Sequence, residues 1–213
     1  MTTTALPSPT SEVDQRQDQI AGSCILAAGI SFFVFNTLAE GAYPNYSVAT
    51  DFLSDLGAIG SSTFLLWNSQ VFVFGVLVLS GMYLLFYRRH LRLRAGRANL
   101  AGISYMLPGV GAILVSLFPG NSTLNFLHGV GGLLVFFFGG ISAVHSYRMI
   151  KGPVRYLAAT LGLVPLVMLF LITPGSYLPS GLGERLTVYP YVLWLVCFGS
   201  HWASIKRLPP KES

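Results

Sequence analysis

Six apolar stretches alternate with short polar ones along the chain: Ile20 to Leu38, Phe64 to Tyr87, Ala98 to Phe118, Leu124 to Tyr147, Val154 to Thr173 and Val188 to Ile205. Each can cross a bilayer's hydrocarbon core as a helix, which takes roughly 20 residues. The pattern predicts an all-α polytopic membrane protein, a six-transmembrane-helix bundle forming a single domain over residues 20–207. Residues 1–19, rich in Ser, Thr, Pro and charge, read as a disordered cytoplasmic tail and not as a cleaved leader. Residues 208–213 form a second cytoplasmic tail.

Charge fixes the expected orientation. When the loops are numbered alternately, Arg16, the Arg88 to Arg97 cluster, Arg148, Lys151, Arg155, Lys206, Arg207 and Lys211 share one face, and Arg185 stands alone on the other. The positive-inside rule makes the basic face cytoplasmic and predicts a multi-pass cell-membrane protein with both termini inside. Composition fits, with 53% hydrophobic and 10% charged residues. The net charge of +5 is accounted for by topology and anionic headgroups, which leaves membrane lipids as partners and excludes nucleic acid.

Within the spans, small residues dominate the fourth: Gly129, Gly131, Gly132, Gly139, Gly140 and Ala143. Close backbone approach drives helix association in lipid, so this span is expected at the centre of the bundle. Pro108 and Pro165 each remove a backbone donor inside a span and are expected to kink it. Cys24 and Cys197 are not placed for a disulfide and read as small core residues.

The first outer loop, Gly41 to Thr63, carries the densest polar pattern. Ser47 as N-cap, Gly57 as stop and apolar residues at 48, 52, 53 and 56 predict a short interfacial helix. Asp51 and Asp55 fall on one face of that helix, either as an acid–base or metal-binding pair or as caps and solvated acids. Glu40, Asn36, Asn68 and Gln70 lie at the same level. His128, in the first turn of span four, faces the same side, where the positive helix end favours a neutral ring. A lone histidine with scattered carboxylates is a weak metal signature, and no nucleophile elbow, Walker loop or dinucleotide fingerprint is present.

Tyr46-Ser47, Phe52-Leu53-Ser54-Asp55-Leu56-Gly57, Phe118-Pro119 and His128 together resemble the family of six-span prokaryotic membrane proteins called domain of unknown function 998, over about Ile20 to Arg207. The resemblance implies the fold and a shared polar cluster of Ser54, Asp55 and His128, and it supplies no substrate.

Two readings of function follow. The first is a lipid-interacting or structural membrane protein in which the Ser54–Asp55 loop locks onto His128, standing alone, as a homo-oligomer or as a subunit of a membrane complex. The second is an intramembrane hydrolase or transferase of lipid headgroups, with Asp55, His128 and Ser54 catalytic. In a metal-dependent form, zinc would be held by His128, Asp55 and Glu40. Six- and seven-span enzymes of the alkaline ceramidase type look broadly similar, but the two further histidines of such a zinc site are missing here.

Overall fold

The computed structural model describes residues 12–88, 99–171 and 178–205, and every regular element among them is helical. We label the helices α1 (Glu12–Ala42), α2 (Phe64–Met82), α3 (Asn99–Leu117), α4 (Asn125–Ser146), α5 (Val154–Leu171) and α6 (Ser180–Ala203). Four of them are long and apolar enough to cross a membrane: Val13–Ala42 of α1, Phe64–Phe86 at α2, α4 and α5. Large apolar side chains such as Leu65 and Phe170 are exposed around the perimeter, as a lipid-facing surface requires and a soluble one avoids. The chain is an integral membrane protein.

Each helix packs on its sequence neighbours, and α1 packs on α6, so the six close into a ring. Glycines set the seams. Gly75 of α2 and Gly109 of α3 face each other so closely that a Cβ on either would lie 2.8 Å from the other's carbonyl oxygen. Span four is one member of the ring and not its centre, because its glycines are taken up by seams with its neighbours. Gly131 meets Gly111 of α3, Gly140 meets Gly162 of α5, and Gly139 lies under the ring of Tyr191 from α6.

Two departures from the sequence pattern concern helix ends and continuity. Residues 12–19 extend α1 and are not a disordered tail, because Gln15 and Gln19 donate to the Ile205 carbonyl at 3.1 and 2.8 Å and so tie the polar start to the end of α6. Residues 1–11 and 208–213, and the arginines at 89–97, lie outside the described residues. Pro108 and Pro165 sit inside helices, as does Pro190 of α6. The helical ladder also widens to π geometry at Tyr83–Arg88 and at Leu134–Phe138, in the middle of α4. Such widenings concentrate near functional sites.

The first loop departs most. In place of one helix from Ser47 to Gly57 there is a turn, in which Asp51 N–H donates to Ser47 O at 2.8 Å, followed by a five-residue 3-10 helix, Leu53–Gly57. The acids cause the break. Asp51 Oδ2 accepts from Ser47 N–H and Asp55 Oδ2 from Phe52 N–H, both at 2.9 Å, so local side-chain bonds displace the continuous ladder. Leu53 and Leu56 are buried in the bundle, and the 3-10 helix caps one end of the ring, called here the loop end.

Candidate functional site

At the loop end, α1, α6 and the first loop are joined by a buried polar network centred on Arg185. Its guanidinium, 5% exposed, donates to Glu40 Oε1 at 2.7 Å and Tyr46 Oη at 2.6 Å. It also donates to the carbonyls of Val48, Gly181 and Asp51 at 2.8, 3.0 and 3.1 Å. Asn36 extends the network, donating to Glu40 at 3.0 Å and to Tyr189 Oη at 3.3 Å and accepting from Trp67 Nε1 at 3.4 Å. Burial pushes the Tyr46 hydroxyl above its ordinary range, against the pull of Arg185, so Tyr46 stays a neutral donor, passing its proton toward the Phe52 carbonyl at 2.9 Å.

Sequence chemistry makes this geometry possible. Pro44-Asn45 forms a tight turn in which Asn45 has φ of 59°, a left-handed conformation that asparagine tolerates better than most residues. The turn delivers Tyr46 to Arg185. Gly181 then lets the loop backbone lie against the start of α6, since a Cβ there would meet Asp51 O at 2.5 Å. The loop's Ala49 carbonyl accepts from Leu182 N–H at 3.1 Å, and the Thr50 carbonyl accepts from Ser180 Oγ, satisfying orphan groups of the helix end.

Beside this network lies a cavity of about 490 Å³, walled by side chains from all six helices and the loop. Phe32, Val71, Phe74, Val115, Val135 and Val192 are among its apolar walls, and Ser54, His128, Glu184, Thr187 and Tyr191 supply its polar side chains. The first half of α4, Asn125–Leu133, packs on α3 but hardly touches α5. Gly129 and Leu133 consequently line the cavity while remaining exposed at the perimeter.

Two cavity groups have informative hydrogen bonds. His128 Nδ1 lies 2.9 Å from the Phe118 carbonyl, which can only accept, so Nδ1 carries a hydrogen and Nε2 is the nitrogen left for other partners. Glu184 Oε2 accepts from Leu53 N–H and caps the 3-10 helix. α6 is about 36 Å long at 1.5 Å per residue, more than a hydrocarbon core of about 30 Å. Glu184 lies near the start of α6, ahead of the apolar stretch that begins at Val188. Burial pushes its carboxyl up to about 7, against the Leu53 and Ser54 amides and Arg185, which favour the anion.

The structure redistributes the residues singled out by sequence. Ser54 and His128 reach the same cavity. Asp55 does not line it; its carboxylate caps Phe52, and the lock between Asp55 and His128 is not formed because each bonds to nearby backbone instead. Glu40 is held by Arg185. Among the described residues no three His, Cys, Asp or Glu side chains converge as a metal ion would need; His128, Asp55 and Glu40 bond instead to the Phe118 carbonyl, the Phe52 amide and Arg185. Arg185, Tyr46, Glu184 and Tyr191 carry the site instead. Their signal in the sequence was a charged pair, Glu184-Arg185, continuous with an apolar helix and otherwise unexplained.

The sequence profile of a family described as "Protein of unknown function (DUF998)" matches residues 26–201. Neither a search of curated proteins nor one of solved structures found a match.

Proposed function

The chain belongs to the DUF998 family, whose description names no reaction, and from that premise we propose that it is a lipid-interacting protein of the cell membrane that holds a lipid chain in its loop-end cavity. In this reading all six helices span the bilayer, both termini are cytoplasmic, and the loop end faces outward. The observation that carries the reading is the cavity itself. Its size is that of a ligand site, its walls are apolar, its polar side chains are few, and Gly129 and Leu133 open it toward the perimeter between α4 and α5. A chain entering from the outer leaflet would exchange one apolar surrounding for another, and the polar side chains inside the cavity would select its head.

The test is to fill the space. A Cβ at Gly132 would meet only Phe136, at 3.6 Å, so Gly132→Leu projects into the cavity with little clash, and removing a helical glycine favours folding by about 0.5–1 kcal/mol. Native mass spectrometry of protein extracted in mild detergent should detect bound lipid on the wild type and lose it on Gly132→Leu. Equal lipid occupancy in both proteins would refute the reading.

A second reading, hydrolysis or transfer of lipid headgroups at the same place, is favoured by the meeting of Ser54, His128 and Glu184 on one cavity. His128 Nε2 would then act as base and Glu184 as the partner acid, with Asp55 in a supporting role only. Turnover of a lipid by purified protein, lost in His128→Ala at unchanged melting temperature, is its signature. Absence of product across neutral and anionic lipids would remove it.

A further inference from the structure

We infer that the cavity selects an uncharged, hydroxyl-headed acyl lipid, an ester or amide of the monoacylglycerol kind, and rejects fatty acids and anionic phospholipids. The inference rests on the lipid-binding reading above and specifies the ligand's chemistry.

Three observations carry it. First, no Lys or Arg among the described residues lines the cavity. The nearest cation, Arg185, is engaged by Glu40, Tyr46 and three backbone carbonyls, so a phosphate or carboxylate would enter without a counter-charge and meet the Glu184 carboxyl. Burying an unpaired anion in such surroundings is strongly unfavourable. Second, the groups at the loop end of the cavity, Ser54 and Glu184, suit hydroxyl ligands, which can donate to a carboxylate and accept from a serine.

Third, Tyr191 is fully buried, lines the cavity, and its hydroxyl has no hydrogen-bond partner among the described residues. Buried hydroxyls are nearly always bonded, and among the described residues this donor is left available to an acceptor that a ligand brings. Tyr191 lies two turns beyond Glu184 on the same helix face, a rise of roughly 10 Å. Two hydrogen bonds of about 3 Å each, joined by a glyceryl ester, bridge that span, with the head hydroxyls at Glu184 and the carbonyl oxygen at Tyr191. The acyl chain then runs along Phe74, Val135 and Leu133.

Trp67 forms part of the wall and serves as the reporter. Full-length protein in detergent is titrated with three probes bearing brominated acyl chains, a monoacylglycerol, a fatty acid and a phosphatidylglycerol, and tryptophan quenching is followed, with Trp67→Phe as the control. The monoacylglycerol should quench saturably and Trp67-dependently, at least tenfold more tightly than either anion. Tyr191→Phe should weaken it about five- to tenfold, the loss of one hydrogen bond.

Anionic probes binding as tightly as the neutral one would overturn the inference and leave the lipid-binding reading standing. Absence of Trp67-dependent quenching by any probe would overturn both. The comparison among probes needs no variant, so it holds even where Tyr191→Phe misfolds, and unchanged monoacylglycerol affinity in a folded Tyr191→Phe would refute the assigned carbonyl contact.

Discussion

The two ends of the ring are filled by opposite means. At the end away from the loop, Phe86 stacks on Tyr105 with centroids 4.1 Å apart, and Tyr105, Trp194 and Phe198 continue the stack at 4.9 to 6.3 Å. Trp194 Nε1 donates to Ser146 Oγ at 2.9 Å, so even the polar edge of the stack is satisfied. At the loop end the same helices present Val71, Ala112, Gly132 and Val188 toward the interior and enclose a cavity. Stability there comes from a buried ion pair and its backbone bonds instead of from volume. The contrast teaches that the aromatic end holds the ring closed, which permits the other end to stay hollow.

Substitutions at the two ends should therefore differ in kind. Trp194→Ala removes a fully buried ring from a packed stack and should cost about 3–5 kcal/mol, read as a shift in reversible unfolding in mixed detergent. Val188→Ala, on the cavity wall, should cost roughly 1.5 kcal/mol, the transfer of two methylene equivalents, because no new void is opened in packed surroundings. Equal costs would mean that the cavity end is as tightly packed as the other.

Arg185→Ala leaves the half-buried Glu40 and three loop and helix carbonyls without their partner and should cost about 3 kcal/mol. Glu40→Ala should cost a similar amount, and the double variant should cost much less than the sum. Additive losses would show that the two charges do not act as a pair. Asp55→Asn tests the capping role in place of a catalytic one. It should lower stability by about 1 kcal/mol through the weakened bond to Phe52 N–H, while lipid binding is retained.

A further test concerns pH. Because burial raises the Glu184 carboxyl from 4.5 to about 7, the folded chain holds that proton more tightly than the unfolded one. The resulting stability is complete below about pH 4.5 and is lost as pH rises toward and through 7. Wild type should lose stability relative to Glu184→Gln across that window, measured as paired unfolding midpoints; parallel curves would place Glu184 in water.

Much of the fold was legible because lipid imposes a simple rule. A helix must be apolar over its length and must pack through small residues, so runs such as Phe64 to Tyr87 and the glycines of span four announced the helices and their crowding. That Ser54 and His128 lie at one level was legible because polar groups there stand out against an apolar background, and both line the cavity. The roles of Asp55 and Glu40 were not. A carboxylate's function depends on which donor reaches it first, and Phe52 N–H and Arg185 lie near by virtue of a turn at Asn45 and a glycine at 181 that no periodicity reveals.

What the sequence determined by itself was therefore the membrane character, the helical stretches and the family, because these follow from composition and spacing summed over many residues. What only the tertiary structure decided was that Arg185 pairs with Glu40, that Glu184 and Tyr191 join His128 and Ser54 at one cavity, and that one end of the ring is hollow. Each of these depends on side chains up to about 150 positions apart, such as Glu40 and Arg185, meeting across helices whose register is set by packing and not by local pattern.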